Sequence, residues 1–230
     1  MIVPIRAIFF DAGYTLIQPH PSFEEIFCDI CNDAGCSLNP ESVAQAESSA
    51  WKSASSPPTP FTLSEEGARL FWLKYFRHLL EELGEKPRPD LCEELVIIFA
   101  RPERYALYPD VLPALKEIKS RGLILGMISN WEGWLLSRLK ELKAAEFFDH
   151  IVISAHLGIE KPAPEIFLKA LHLARVQPSE ALHVGDSFEN DYLPARRLGM
   201  QAVLIDRRGR PAGGQNHCIK SLDELLKLLP

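Results

Sequence analysis

The sequence predicts an α/β fold: a parallel sheet with right-handed crossovers, carrying an all-helical segment inserted after the first strand. Three observations lead there. Near its start the chain runs through the apolar stretch Ile5 to Phe10 and ends it at Asp11, Gly13 and Thr15-Leu16. A short apolar run closed by a turn signal reads as a strand buried on both faces. Residues from about 18 to about 104 carry helical periodicity throughout and offer no good strand. From Asp110 onward, apolar runs alternate with helical patterns, which implies a parallel sheet.

Each element has its own local reason. Pro19, His20 and Pro21 make a loop, and Ser22 caps a helix to Asn32 whose Phe23, Ile26, Phe27 and Ile30 share one face. Glu41 to Trp51 is a more polar helix, and Ser53 to Pro60 is a loop by composition. Ser64 to Leu83 is a long helix; Pro87 and Pro89 break the chain, and Asp90 caps a fourth helix, Leu91 to Ala100. Asp110 caps the next helix, which stops at Gly122. Leu123 to Ile128 is a buried strand ending at Ser129-Asn130, followed by a helix from Glu132 to Leu142. Ile151 to Ile153 is a short strand and Glu165 to Leu173 a helix. Ala181 to Val184 is a strand ending at Gly185-Asp186, and Asn190 to Leu198 a helix. Gln201 to Ile205 is a strand ending at Asp206, Arg207 to Asn216 a glycine-rich polar loop, and Ser221 to Leu229 the last helix.

Composition narrows the function. The 230 residues are 47% hydrophobic and 24% charged, as in an ordinary globular protein. The formal charge of -6, with no basic run, argues against a nucleic-acid partner. Ile2 to Phe10 is interrupted by Arg6, is too short for a membrane helix and lacks the flanks of a signal peptide, so the expectation is a cytoplasmic protein with no membrane partner. The five cysteines are odd in number, which argues against a disulfide framework. Cys28 and Cys31 fall on an apolar helix face and lack a second zinc-spaced pair, so they read as buried side chains.

The chemistry collects at strand ends. Parallel neighbours point the same way, so their C-terminal ends share the edge where ligands sit in open α/β sheets. Asp11 stands at one such end and reads as a nucleophile; Ser129 with Asn130, and Asp186 with Asp191, stand at others. Asp11 and Asp186 form a hard oxygen pair of the kind Mg²⁺ takes together with water and a phosphate oxygen. Asp191 can orient the metal's water or pair with a lysine. Ser129 offers a hydroxyl, and the backbone N–H groups after it can meet an anion. Lys161, held between Glu160 and Pro162 before a helix, can neutralise charge near Asp11, and Thr15 bonds the loop or Asp11 itself. Read singly, Asp110 and Asp206 are caps or turn formers, His183 is a hydrogen-bonded core histidine, and Trp131 and Trp134 are packing residues or a pocket wall.

Four segments, Asp11-Ala-Gly13-Tyr-Thr15-Leu, the run to Ser129-Asn130, Gly158-Ile-Glu-Lys161-Pro162 and Gly185-Asp186-Ser-Phe-Glu-Asn190-Asp191, come in order and span nearly the whole chain. They resemble the four motifs of the haloacid dehalogenase-like hydrolase superfamily, in its subfamily with a helical cap of the first type. The resemblance implies a doubly wound, Rossmann-like core of residues 1–17 and 105–230 and an inserted helical cap of residues 18–104. It implies Asp11 as the nucleophile that carries an aspartyl-phosphate, assisted by Thr15, with Ser129, Asn130 and Lys161 binding the phosphate. It implies Mg²⁺ held by Asp11, the Gly13 carbonyl and Asp186, with Asp191 in support.

One position departs from the pattern. The family's phosphatases carry a second aspartate two residues after the nucleophile, and here that position is Gly13. This resembles a little-characterised branch of the family. General acid–base help is worth roughly a hundred- to ten-thousandfold, so proton transfer is the weakened step, and Gly13→Asp is expected to raise phosphate release. The family's dehalogenases also lack that acid, but they resemble this chain poorly at Asp186. Three readings follow. The first is a Mg²⁺-dependent phosphatase of a small phosphorylated metabolite. The others are a metal-independent 2-haloacid dehalogenase working through an ester on Asp11, and a non-catalytic protein that binds phosphate or metal. The oligomeric state is left open.

Overall fold

The computed structural model describes residues 4–56, 60–209 and 218–229. It divides into two compact units, Met1–Gln18 with Leu107–Pro230, and Pro19–Ala106. In chain order the elements are β1 (Ala7–Phe10), β2 (Ile17–Pro19), α1 (Phe23–Asp33), α2 (Pro40–Ala54), α3 (Glu65–Glu82), α4 (Pro89–Phe99) and β3 (Tyr105–Leu107). Then come α5 (Val111–Ser120), β4 (Ile124–Ser129), α6 (Leu135–Glu141), β5 (His150–Ile153), α7 (Ser154–Leu157) and α8 (Pro164–Ala174). The chain closes with β6 (Ala181–Gly185), α9 (Leu193–Arg197), β7 (Gln201–Ile205), β8 (Cys218–Ile219) and α10 (Leu222–Leu228).

The first unit is built on a six-stranded sheet in the order β5-β4-β1-β6-β7-β8, with every pairing parallel. Ala7, Ile8, Phe9 and Phe10 are all fully buried, as a strand covered on both faces requires. Alternate residues serve opposite faces: Ala7 and Phe9 join the core formed by Ile166, Phe167 and Ala170 of α8. Connections leave β1 in opposite directions, because β4 pairs with one side of it and β6 with the other. That strand is therefore the topological switch point, beside which such sheets open a crevice. The register pairs Phe10 with both Met127 and Val184, so Asp11, Ser129 and Asp186 emerge within two residues of one line.

The second unit is helical, α1 to α4, as expected from the periodicity of its sequence. Ser22, Asn39 and Ser64 cap α1, α2 and α3 by accepting backbone N–H bonds from Glu25, Ser42 and Gly67. Its core is unusually aromatic: Phe23 packs on Phe99 with ring centroids 4.8 Å apart, and Phe76 lies against both Phe27 and Phe99. Cys28, Cys31 and Cys92 are buried in that core, where loss of water pushes the Cys31 thiol up to about 12. The strands β2 and β3, which pair with each other, lie where the chain passes between the units.

Several boundaries differ from expectation, each for a local reason. Asp90 does not cap α4: Pro89 takes the first helical position, where its missing N–H costs nothing, and Asp90 sits in the first turn. The helix expected from Glu132 begins only at Leu135, because Ser154 accepts the Trp131 N–H at 3.0 Å and so holds that segment out of the helix. The helix expected over Asn190 to Leu198 is a π-helical turn, Phe188–Tyr192, running into the short α9. Ser53 and Ala54 belong to α2, and residues 57–59 of that expected loop, like residues 210–216 of the later one, lie outside the described residues. Asp206 makes the expected turn, accepting the Arg208 N–H at 3.1 Å.

Asp110 occupies the N-cap position of α5 but makes no capping bond with its side chain. Its Oδ2 instead accepts Arg207 Nη1 at 2.6 Å and the Leu222 N–H at 2.8 Å. Arg207 also bonds the Thr15 carbonyl through Nε and Nη2 (3.3 and 3.0 Å) and lies over the Tyr108 ring. One guanidinium thus ties the turn after β1 to α5 and the start of α10. Breaking a buried pair strands the remaining charge. Arg207→Met is therefore expected to lower stability by about 3 kcal/mol in urea unfolding. Combined with Asp110→Asn, the loss should fall well short of the sum of the two single losses.

Candidate active site

Asp11 follows β1 directly and is tied to the next strand by its own N–H, which donates to the Val184 carbonyl at 2.9 Å. The chain then turns tightly: the Ala12 carbonyl accepts the N–H groups of Leu16 and Ile17, and Tyr14 takes a left-handed φ of 49°. This turn returns Thr15 toward the carboxylate, Oγ1 standing 3.5 Å from Asp11 Oδ2. Ser129, at the end of β4, donates from Oγ to Asp11 Oδ1 at 3.3 Å. All three side chains are buried.

Lys161 is the centre of the cluster. Its Nζ lies 2.6 Å from Asp11 Oδ1 and 2.6 Å from Asp191 Oδ1, and its side chain is 3% exposed. Its backbone is held by Asn130, whose Oδ1 accepts the Lys161 N–H at 2.7 Å while Nδ2 donates to the Lys161 carbonyl at 2.8 Å. Both ends of the Asn130 amide are thus bonded to the Lys161 backbone. Burial alone would lower the Lys161 ammonium, but the two carboxylates more than reverse this and hold it well above the ordinary lysine range.

The same burial acts differently on the two acids. For Asp11 it dominates and raises the carboxyl, against the pull of Lys161 and with the added push of Asp191. For Asp191 burial is overcome by Lys161 and His183, and the carboxyl is held well below its usual range. The bonds to Asp191 are the shorter set: Lys161 (2.6 Å) and His183 Nε2 (2.9 Å) on Oδ1, and the Ser187 N–H (3.1 Å) on Oδ2. The π-helical turn delivers it, since the N–H groups of Asp191 and Tyr192 both donate to the Ser187 carbonyl and widen the turn inward. Gly185 makes room, because a Cβ there would run into the Asp191 carboxylate.

Asp186 completes the acidic group. One oxygen each from Asp11, Asp186 and Asp191 lie within 4.8 Å of one another. Three carboxylates against one ammonium leave a surplus of negative charge, and a hard oxygen set of this kind suits a divalent cation. The residues therefore fit a Mg²⁺ site. At Gly13, a Cβ would come within 2.8 Å of Cζ3 of Trp131. The indole thus occupies the space a side chain at position 13 would need, and Trp131 is itself packed edge-on against Trp134.

Of the expected site residues, Asp11, Thr15, Ser129, Lys161, Asp186 and Asp191 come together. Sequence reasoning missed three contributors: the clamp of Asn130 on Lys161, the bond from His183 to Asp191, and Arg207 on the Thr15 carbonyl. Only His183 carried a signal, as a polar residue inside an apolar strand.

The family model that matches this chain, over residues 5–199, is that of the haloacid dehalogenase-like hydrolases. A curated relative, haloacid dehalogenase-like hydrolase domain-containing protein 3 of Danio rerio, is 30% identical across 98% of this chain and 96% of its own length. A phosphoserine phosphatase of Thermus thermophilus is 29% identical across 90% of this chain and 91% of its own. Among solved structures, a dehalogenase superposes with a TM-score of 0.70 at 25% identity, covering 100% of this chain and 99% of that one.

Lys161→Met leaves two buried carboxylates without their cation. At pH 7 this is expected to cost about 3–5 kcal/mol in urea unfolding. The depressed Asp191 contributes stability that is present above its unfolded value of 3.8 and is lost as pH falls through the folded value. The raised Asp11 contributes in the opposite sense. In the variant both acids bind protons at higher pH than in the wild type. The stability gap should therefore narrow as pH is lowered from 7 toward 4.

Proposed function

The chain belongs to the haloacid dehalogenase-like hydrolases, and on that premise we propose that it is a Mg²⁺-dependent phosphatase acting on a small phosphorylated metabolite. The observation that carries this reading is the cluster itself: one buried lysine shared between two aspartates, with a third carboxylate beside them. A phosphatase among the full-length relatives supports it. The helical unit is read as the cap. No helix among the described residues is long and apolar enough to cross a membrane.

In this reading Asp11 attacks phosphorus. Its Oδ1 is held by Lys161 and Ser129, while Oδ2 carries the long Thr15 contact and is the oxygen taken to react. The Asp11–phosphorus bond forms as the bond to the leaving oxygen breaks. Lys161 and Ser129 remain beside the transferred group to balance its charge. Water then attacks phosphorus, releasing phosphate and restoring the Asp11 carboxylate. Asp11, Asp186 and the Gly13 carbonyl would hold Mg²⁺, with Asp191 in support; the ion, when bound, offsets the charge of the carboxylates and the phosphoryl oxygens. Position 13 supplies no acid, so the leaving oxygen takes its proton from solvent, or leaves as a stable anion.

The dehalogenase reading has a specific observation in its favour, the 25% identity to a dehalogenase across its length. It uses Asp11 in the same way but has no need of the acidic group formed with Asp186.

Phosphate release from a panel of phosphomonoesters should require Mg²⁺, stop on chelation and fall at least about a thousandfold in Asp11→Asn. Halide release from 2-haloacids that survives chelation would overturn the assignment. The Trp131 ring stands where a side chain at 13 would begin, so we now expect Gly13→Asp alone to give no gain. Gly13→Asp with Trp131→Ala should raise turnover, by up to about a hundredfold.

A further inference from the structure

We propose that His183 is a positioning residue for this reaction: through Asp191 it fixes the place of the Lys161 ammonium over Asp11. His183 lies in the middle of β6, a strand otherwise made of Ala181, Leu182, Val184 and Gly185, and it is completely buried. An imidazole in such a place costs free energy unless its polar atoms are matched. Only one is matched among the described residues. Nε2 stands 2.9 Å from Asp191 Oδ1, while Nδ1 is buried with no hydrogen-bond partner among them.

This asymmetry sets the tautomer. A carboxylate that already accepts from Lys161 and from the Ser187 N–H accepts from the imidazole too, so the proton is on Nε2. A proton on Nδ1 would be a buried donor with nothing to meet, and the ring faces Phe167 edge-on at 5.2 Å. His183 is thus a donor aimed at one oxygen.

That oxygen is the one that holds Lys161. Asp191 is gripped on Oδ2 by the Ser187 N–H and seated over Gly185, which leaves rotation of its carboxylate to be settled at Oδ1. There His183 and Lys161 share the oxygen. When Asp11 becomes an acyl phosphate the charge of its carboxylate is consumed, and Lys161 keeps a single carboxylate, Asp191. The lateral bond from His183 prevents that carboxylate from turning to follow the ammonium toward the transferred phosphoryl group. Without it, Lys161 has no fixed anchor at the step where its charge is needed.

The activity arm rests on the phosphatase reading; the structural arms do not. His183→Leu removes the donor, and His183→Gln keeps an N–H at the matching distance. In a steady-state assay on the Mg²⁺-loaded protein, kcat of His183→Leu should fall about 10- to 100-fold with KM changed less than about threefold. His183→Gln should return within about threefold of wild type. Equal kcat in wild type and His183→Leu would overturn the proposal, and so would equal losses in the Leu and Gln variants, which mark a packing effect only. If wild type releases no phosphate from any substrate, the phosphatase reading fails. The crystal structure of His183→Leu then decides: a turned Asp191 carboxylate with Lys161 drawn off Asp11 supports the proposal, and an unmoved pair refutes it. If His183→Leu does not fold, ¹⁵N NMR of wild type takes its place. A protonated Nε2 with bare Nδ1 is the expected result, and a protonated Nδ1 the opposing one.

Discussion

The sharing of one buried ammonium between two carboxylates is the interaction on which the rest of this site depends. Lys161 reaches Asp11 and Asp191 at the same 2.6 Å, and all three side chains are almost wholly removed from water. Charges so buried are tolerable only when each is paired and further hydrogen-bonded. The surrounding structure meets that demand at every member. Asn130 grips the lysine backbone at two points, Ser129 and Thr15 flank Asp11, and His183 and the Ser187 N–H take the remaining positions on Asp191. Even the irregular features serve it. The π-helical turn and the absence of a side chain at Gly185 exist where a regular helix or a larger residue would keep Asp191 out.

The sheet makes the pairing possible. Asp11 and Lys161 are 150 residues apart in the chain, and Lys161 and Asp191 thirty. What brings them together is the position of β1 between β4 and β6, so that successive strands release their ends at one edge. This much was legible from the residues. A strand buried on both faces must be apolar without interruption, so the polar residue that ends it stands out. Asp11, Ser129 and Asp186 each end such a run. The helical unit was legible for the complementary reason, since α1 and α3 keep one apolar face over several turns. The family's motifs added Lys161, which alone reads as a surface residue.

What stayed hidden depends on partners distant in sequence. Nothing local to Asn130 says that both ends of its amide bind the backbone of Lys161. Asp110 looked like a cap because it precedes a helix, and a cap is what an aspartate does there when no stronger donor is near. Arg207 is that donor, and it arrives from the far side of the sheet. Asp191 was seen as an accessory acid; its short bonds from Lys161 and His183 hold its carboxyl well below the usual range. Helix starts were displaced by the same kind of cause: Ser154 holds Trp131 out of α6, a bond between segments that no periodicity records.

Gly13 shows how such a pairing changes the chemistry inferred from a motif. Read alone it is a lost carboxylate, and the natural repair is to restore it. The structure gives the position a second half: the edge of the Trp131 indole stands where a side chain at 13 would begin. The two residues come from the ends of different strands, β1 and β4, and either change alone leaves a misfit, a clash in one case and a gap in the other. The arrangement is therefore a matched apolar fit at the place where an acid would act. Lys161 is committed to two carboxylates and held far above its usual range, and a hydrocarbon edge lies beside Gly13. On the phosphatase reading, a bond whose leaving oxygen bears its charge well, as in an acyl or aryl phosphate, makes the least demand on such a site.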